Sequence, residues 1–172
     1  AKHTNLMIIG LKEKTEELRL TRDVTIMSLA SQAETRDNET GAHLLRTQRY
    51  VKHLAEYLKD EAEYSASLDA YTIDLLFKSA PLHDIGKVGI PDHILLKPGR
   101  LTAEEFEIMK SHTVIGASIL ANSKAEILQV AEKIALSHHE KWNGTGYPKG
   151  LSGDKIPLAG RVVGLADVFD AL

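Results

Sequence analysis

The stretch LTAEEFEIMKSHTVIGASIL (residues 101–120) shows how this chain builds its structure. Thr102 and Glu105 form the pattern of a capping box, in which each side chain bonds the backbone N–H of the other residue at the start of a helix. Apolar side chains follow at helical spacing from Phe106 onward. We therefore predict a helix that begins after Thr102 and runs to about residue 121, with His112 at the close of its first turns.

Helical periodicity extends in both directions from this stretch. We predict further helices over residues 6–35, 39–60, 68–83 and 124–140, and a last one after Pro157. Residues 87–102, which include Pro91 and Pro98, form a turn-rich segment before the helix that begins after Thr102. Because no segment alternates apolar and polar residues for long enough to predict a strand, the expected fold class is all-α, a helical bundle.

The first predicted helix differs from the others because charged residues surround its few leucines. Leu11 and Leu18 are seven residues apart, as in a coiled coil, but Thr25 takes the next position. A connecting signalling helix is one interpretation, and a solvent-exposed helix that pairs with nothing is the other. We expect residues 1–36 to form this linker helix and residues 37–172 to form the domain.

Composition excludes several classes of function. The 172 residues include no cysteine, which removes thiolate metal sites and thiol nucleophiles and fits a reducing compartment. Lys and Arg total 21 against 24 Asp and Glu, so no basic surface for a nucleic-acid polymer is evident. Apolar runs are far shorter than the ~20 residues of a membrane span. We expect a soluble, cytoplasmic protein, and a piece of a longer one, because the last helical pattern ends without a cap.

Histidines and carboxylates recur at the ends of the predicted helices. Glu39 and His43 are spaced i, i+4, so both side chains project from one face of a helix. Metal sites inside helical bundles are built from such groups on facing helices. The candidate metal ligands are Glu39, His43, His83, Asp84, His112, His138, His139 and Asp167.

Two pairs of candidates are adjacent in the sequence. Neighbours on a helix point about 100° apart, so we predict that His138 and His139 serve different ions, and that His83 and Asp84 do as well. Imidazoles and carboxylates without sulfur suit Fe, Mn, Ni or Zn. Ions roughly 3.5–4 Å apart, as in many phosphoesterases, can share a hydroxide and stabilise the leaving oxygen.

Two cations lie near these ligands. Lys87 follows Asp84 by three residues, and a compact ammonium there would stabilise negative charge on a phosphoryl oxygen. Arg46, three residues after His43, could bind a phosphate in the same cavity. A role at the solvated surface is the alternative for both side chains.

These motifs together resemble the HD-GYP subgroup of HD-type metal phosphohydrolases. The resemblance rests on RDNETGAH (36–43), HDIGK (83–87), GIPDHILLKPGRLT (89–102), HHEKWNGTGYP (138–148) and IPLAGRVVGLADVFDAL (156–172). It implies an HD-domain helical bundle and hydrolysis of cyclic di-GMP to linear pGpG, to GMP or to both, by a metal-bridging hydroxide. It also implies two or three divalent transition metal ions, Fe or Mn with Ni or Zn as alternatives. Asp84 would bridge two of them and Glu39 would hold a third.

The resemblance also implies how substrate and partners bind. Lys87 would contact the scissile phosphate, and Arg46 and Asp170 would contact the nucleotide. Gly146, Tyr147 and Pro148 would line the mouth of the site and meet diguanylate cyclases. Members of the family follow receiver or sensor domains, and the N-terminal helix would support a homodimer. The family usually continues beyond DVFDAL with an Arg and a Lys that grip the nucleotide.

Two alternatives remain, and only the second belongs to another class of function. One is a hydrolase of the HD type that acts on another nucleotide or on a mixed cyclic dinucleotide. The other is a metal-bearing but inactive cyclic-dinucleotide sensor or interaction module. Rates with a panel of nucleotide substrates would distinguish the first alternative from a cyclic di-GMP hydrolase. Tight binding of cyclic di-GMP without turnover would favour the second.

Overall fold

A computed structural model describes residues 2–36 and 41–172. Within these ranges the chain is helical, and its only β-type pairing is the isolated bridge between Asn143 and Ser152. The predicted all-α fold is therefore confirmed. The helices are α1 (Lys2–Glu34), α2 (Gly41–Leu58), α3 (Ala70–Ser79), α4 (Asp92–Leu95), α5 (Ala103–Lys110), α6 (His112–Leu120), α7 (Glu126–Ser137) and α8 (Leu158–Asp170).

Helix α1 has two parts with different surroundings. Residues 4–21 are exposed throughout, although several of them are apolar. Near the end of the helix, Ile26, Ala30 and Ala33 are buried in the core, because the i, i+4 and i+7 positions of a helix share one face. The last turns of α1 therefore belong to the globular body, and its first turns project from it.

Helix α7 lies at the centre of the body and contacts α3, α6 and α8. Its buried residues include Ile127, Ala131 and Ile134, which recur at helical spacing. Helix α2 packs on α3 and α8 through Val51 and Ala55. As a result, the C-terminal ends of α1 and α7, the N-terminal end of α6 and one face each of α2 and α8 converge on one region of the bundle.

The predicted helix over residues 102–121 is wrong in one respect, because it is two helices. The capping box of Thr102 and Glu105 is present as predicted. At Ser111, however, α5 ends, since the hydroxyl and the backbone N–H of Ser111 both donate to the carbonyl of Ile108. A side chain that competes for a backbone acceptor weakens the helical ladder. The break places His112 at the first position of α6.

Gly86 allows α6 to approach the segment that follows α3. Residues Ala80–Leu82 and Ile85–Gly89 form two 3₁₀ turns, with His83 and Asp84 between them. A Cβ atom on Gly86 would overlap the backbone carbonyl of His112. Only glycine permits this approach, which brings Asp84 and His112 together.

Among the described residues, no helix combines the length and the apolar character needed to cross a membrane.

Candidate metal centre

The candidate ligands form two groups. Within each group, the ligand atoms lie within 4.8 Å of one another. One group comes from α6, the end of α7 and the turn after α3, and the other from α2, the same turn and α8. The first group is Asp84, His112, His138 and His139, and the second is His43, His83 and Asp167.

Asp84 connects the two groups. Its Oδ1 lies 3.2 Å from His112 Nε2 and 3.3 Å from His138 Nε2, whereas its Oδ2 lies 3.6 Å from His83 Nε2. Asp167 Oδ1 in turn lies 3.6 Å from His83 Nε2 and 3.4 Å from His43 Nε2. One carboxylate therefore presents an oxygen to each group, which is the geometry of a bridging ligand.

Backbone carbonyls fix the orientation of three buried imidazoles. The Nδ1 atoms of His83 and His112 lie 2.9 Å and 2.7 Å from the carbonyls of Ala80 and Met109, and His138 Nδ1 contacts two carbonyls of α7 at 3.1 Å. With the proton on Nδ1, each Nε2 lone pair faces the centre, the tautomer that metal ligands use.

The buried atoms at the centre fit a divalent metal ion. The Nε2 atoms of His83, His112 and His138 and Oδ1 of Asp84 are buried and make no hydrogen bond among the described residues. Two imidazole lone pairs that face one carboxylate oxygen at 3.2–3.3 Å repel it unless a cation lies between them. Imidazole and carboxylate ligands are those that Fe, Mn and Zn accept.

The charges of the centre favour ionised carboxylates. Burial by itself raises the pKa of Asp84, but the charges of His83 and Lys87 hold it well below its usual range. Burial acts in the same direction on Asp167, but the close contacts with His43 and His83 lower the pKa of this carboxyl. Both side chains are therefore negatively charged and ready to bind a cation.

The imidazoles respond in two ways to the same surroundings. Burial lowers the pKa of His83, but the adjacent carboxylates outweigh it and raise the pKa to about 9. For His139, burial and then the neighbouring His138 lower the pKa to about 3. His139 is therefore a neutral lone-pair donor, whereas His83 must exchange a proton for a metal ion.

The prediction that His138 and His139 serve different ions stays a prediction, but the structure places both in the first group, within reach of a single ion. His138 keeps helical backbone angles as the C-cap of α7, yet the two imidazoles lie side by side. Their ring centroids are 4.1 Å apart, with planes tilted by 42°. Asp84 falls in the first group and His83 in the second, but Asp84 Oδ2 also lies 3.6 Å from His83 Nε2, so the assignment of these two residues to different ions stays a prediction.

Asp170 connects α8 to α2 behind the second group. Its Oδ2 lies 2.7 Å from His43 Nδ1, and the guanidinium of Arg46 donates to both of its oxygens at 2.7 and 2.8 Å. The structure thus gives Arg46 and Asp170 a role in orienting a metal ligand. Their contact with the nucleotide stays a prediction.

We expect Asp170→Ala to weaken binding of one Mn²⁺ ion about 10- to 100-fold, because a carboxylate behind a metal-binding histidine sets its orientation. Isothermal titration calorimetry with Mn²⁺ measures the change in affinity. The matched control is Asp60→Ala, which removes an exposed carboxylate. Equal affinity in the two variants would show that Asp170 does not position His43.

Lys87 is positioned by residues that are distant in sequence. Its Nζ lies 2.7 Å from Asp84 Oδ2, and only 12% of its side chain is exposed. The guanidinium of Arg36 donates to the carbonyls of Lys87, Val88 and Ile90 and to Asp92. Arg36 therefore holds the turn that carries Lys87 against the end of α1.

Glu34 is a carboxylate that the sequence analysis missed. It lies in the last turn of α1, is 2% exposed, and its Oε1 is 4.0 Å from His43 Nε2. The pattern that could have revealed it is its i+4 spacing from the buried Ala30. The predicted ligand Glu39 lies outside the described residues.

The loop after α7 places Tyr147 beside the first group. The Tyr147 ring lies 4.7 Å from that of His139, and burial raises the pKa of its hydroxyl. Glu140 accepts backbone hydrogen bonds from Lys149 and Leu151, which closes the loop. A Cβ atom on Gly146 would overlap the backbone of Lys141, so glycine is required there. Pro148 is exposed beyond Tyr147.

Comparison with known proteins bears on this centre. The family model described as "HD domain" matches residues 25–172. A "Cyclic di-GMP phosphodiesterase" of Vibrio cholerae is 58% identical, over 98% of this chain and 35% of that protein. A "3'3'-cGAMP-specific phosphodiesterase 2" of the same organism is 47% identical, over 98% of this chain and 29% of that protein. A "Cyclic di-GMP phosphodiesterase response regulator" of Xanthomonas campestris is 45% identical, over 86% of this chain and 37% of that protein. The chain thus spans about a third of the length of these relatives.

Proposed function

The chain belongs to the HD domain family, and on that premise we propose that it is a metal-dependent phosphodiesterase that hydrolyses cyclic di-GMP. The products would be linear pGpG, GMP or both. The observation that carries the proposal is the position of Asp84, which presents one oxygen to each of two groups of metal ligands. The names of two relatives that cover most of this chain support the substrate.

Bound divalent ions would supply an acidic water and would offset the negative charge of the phosphodiester. The residues that would hold them are Asp84, His112, His138 and His139 in one group and His43, His83 and Asp167 in the other. We propose Fe or Mn, with Ni or Zn as alternatives, and a third ion if Glu39 completes a further site. Imidazole and carboxylate ligands without thiolates accept each of these metals.

Lys87 would act directly on the phosphate. In hydrolysis, water attacks phosphorus in line with the leaving 3′ oxygen, and the equatorial phosphoryl oxygens gain negative charge. The ammonium of Lys87 is at the edge of the centre, 2.7 Å from Asp84 Oδ2, and its burial strengthens its effect on that charge. Tyr147 and Gly146 would form the wall that excludes solvent on the side of His139.

The test is hydrolysis of cyclic di-GMP by this chain, loaded with Fe²⁺ or Mn²⁺ in the absence of oxygen. We expect turnover that is lost in the His83→Ala, Asp84→Ala double variant. Turnover that persists in the double variant, or none in the unmodified chain, would contradict the proposal. Tight binding of cyclic di-GMP without turnover would instead indicate a sensor.

A mixed cyclic dinucleotide is the second candidate substrate. It is favoured by the 47% identity to a relative named as specific for 3'3'-cGAMP. Initial rates with cyclic di-GMP and 3'3'-cGAMP at equal concentrations decide between the two. The substrate with the higher kcat/KM is the one that the site prefers.

We propose that residues 1–36 connect the domain of residues 37–172, whose core also takes in Ile26, Ala30 and Ala33 at the end of this helix, to a receiver or sensor domain. We also propose that diguanylate cyclases bind near the loop of residues 146–148. The name of the Xanthomonas campestris relative, a response regulator, supports the first partner. We also propose a homodimer through α1. Ile8, Leu11 and Leu18 are 46–63% exposed and lie on one helical face.

We expect Leu11→Lys with Leu18→Lys to convert this dimer to a monomer, because charges at two core positions of a coiled coil must be desolvated. Light scattering after gel filtration measures the mass. The control is Leu20→Lys, an exposed residue away from the line through Leu11 and Leu18. A monomeric unmodified chain would contradict the proposal.

A further inference from the structure

A cluster of aromatic rings at the edge of the metal centre extends beyond the residues assigned so far. Phe106 on α5 lies edge-on to Tyr147, with ring centroids 6.1 Å apart and planes at 82°. Tyr147 in turn lies 4.7 Å from His139 and 6.4 Å from His112. The rings therefore lead from a metal ligand outward to the surface.

Phe106 is poorly explained by packing. Its side chain is 43% exposed, and none of the residues of α5 is buried. An exposed aromatic ring leaves apolar surface in contact with water, so a ligand that covers it would be favourable. The outer part of the ring faces solvent at the mouth of the centre, beside the half-buried Tyr147.

Lys110 adds a cation to the same place. Its Nζ lies 5.0 Å from the centroid of Phe106 and 5.7 Å from that of Tyr147. A salt bridge to Glu107 at 2.6 Å holds the side chain, of which 26% is exposed. Two rings and a fixed ammonium together offer a stacking surface and a hydrogen-bond donor.

We propose that Phe106 and Lys110, with Tyr147, form a purine-binding site at the mouth of the metal centre. This inference rests on the proposed function and deepens it, because it assigns the residues that hold one base of the dinucleotide. Aromatic side chains stack on nucleobases. The O6 and N7 acceptors of guanine suit a lysine donor, whereas adenine presents an amino group in place of O6. Lys110 would therefore favour guanine.

Binding of GMP and of ribose 5-phosphate to the Mn²⁺-loaded chain tests this without requiring turnover. Both ligands carry the same phosphate, so the Kd of ribose 5-phosphate divided by the Kd of GMP reports the contribution of the base alone. Since stacking of one base is worth about 1–3 kcal/mol, we expect Phe106→Ala to lower this ratio about tenfold. Phe106→Leu should lower it less, and Lys110→Met should remove the preference for GMP over AMP.

The control is Ile108→Ala, which removes an exposed apolar side chain two residues from Phe106 on the same helix and should keep the ratio. An unchanged ratio in Phe106→Ala, or no advantage of GMP in the unmodified chain, would overturn the base site. Hydrolysis of cyclic di-GMP is measured separately. Turnover without a base-dependent ratio removes only this inference, whereas a base-dependent ratio without turnover removes only the hydrolase.

Discussion

Asp84→Asn should reduce hydrolysis of cyclic di-GMP at least about a thousandfold, a loss of roughly 4 kcal/mol of transition-state stabilisation. The amide keeps the shape of the side chain but removes the charge that faces His112 and His138 on one side and His83 on the other. Because this one carboxylate serves both groups of ligands, the variant should also lose both metal ions. Elemental analysis after gel filtration measures the metal content.

Asp167→Asn is the matched control for this prediction. Asp167 lies in the second group only, next to His43 and His83. The same change of charge there should remove one ion and leave the other. If Asp84→Asn keeps both ions, or if the two variants lose the same amount of metal, Asp84 does not bridge the two groups. Circular dichroism of both variants shows whether the helices remain folded.

Lys87→Met should lower kcat about 10²- to 10³-fold, the usual cost of removing one positively charged or hydrogen-bonding group that acts on the transition state. The methionine preserves the apolar stem of a side chain that is only 12% exposed, so the fold should be retained. Metal content should not fall, because removal of the ammonium makes the surroundings of Asp84 more negative.

Steady-state kinetics and elemental analysis of the same sample separate the two effects. The control is Lys52→Met, which removes a half-exposed lysine that pairs with Glu56 on α2. A Lys87→Met variant with unchanged kcat would exclude a role in the reaction. One that loses its metal ions would show that Lys87 organises the centre and does not act on the phosphate.

The ligand residues were predictable because each occupies a short motif, whereas their grouping was not. The prediction for His138 and His139 rests on the 100° separation of helical neighbours, yet the two imidazoles lie side by side at the end of α7. His83 and Asp84 follow α3 in a pair of 3₁₀ turns, where Asp84 faces both groups of candidate ligands. Where a helix ends is decided by local competition for carbonyls, which periodicity does not report.

Other features depend on tertiary contacts that no local pattern contains. Glu34 is buried only because the end of α1 packs against the body, although the same helix is exposed over residues 4–21. Arg36 reaches carbonyls 51 to 54 positions away in the chain. Ser111 interrupts a segment whose capping box and apolar spacing are those of one long helix.

The contact between Arg36 and the turn of residues 87–90 has a mechanical consequence. Residues 4–21 of α1 form an exposed arm of about 27 Å that projects from the body. At the other end of this helix, the guanidinium of Arg36 donates to the carbonyl groups of Lys87, Val88 and Ile90. A rotation of the arm that reached Arg36 would therefore displace the turn that carries Lys87, but it would first have to move Ile26, Ala30 and Ala33 within the hydrophobic core.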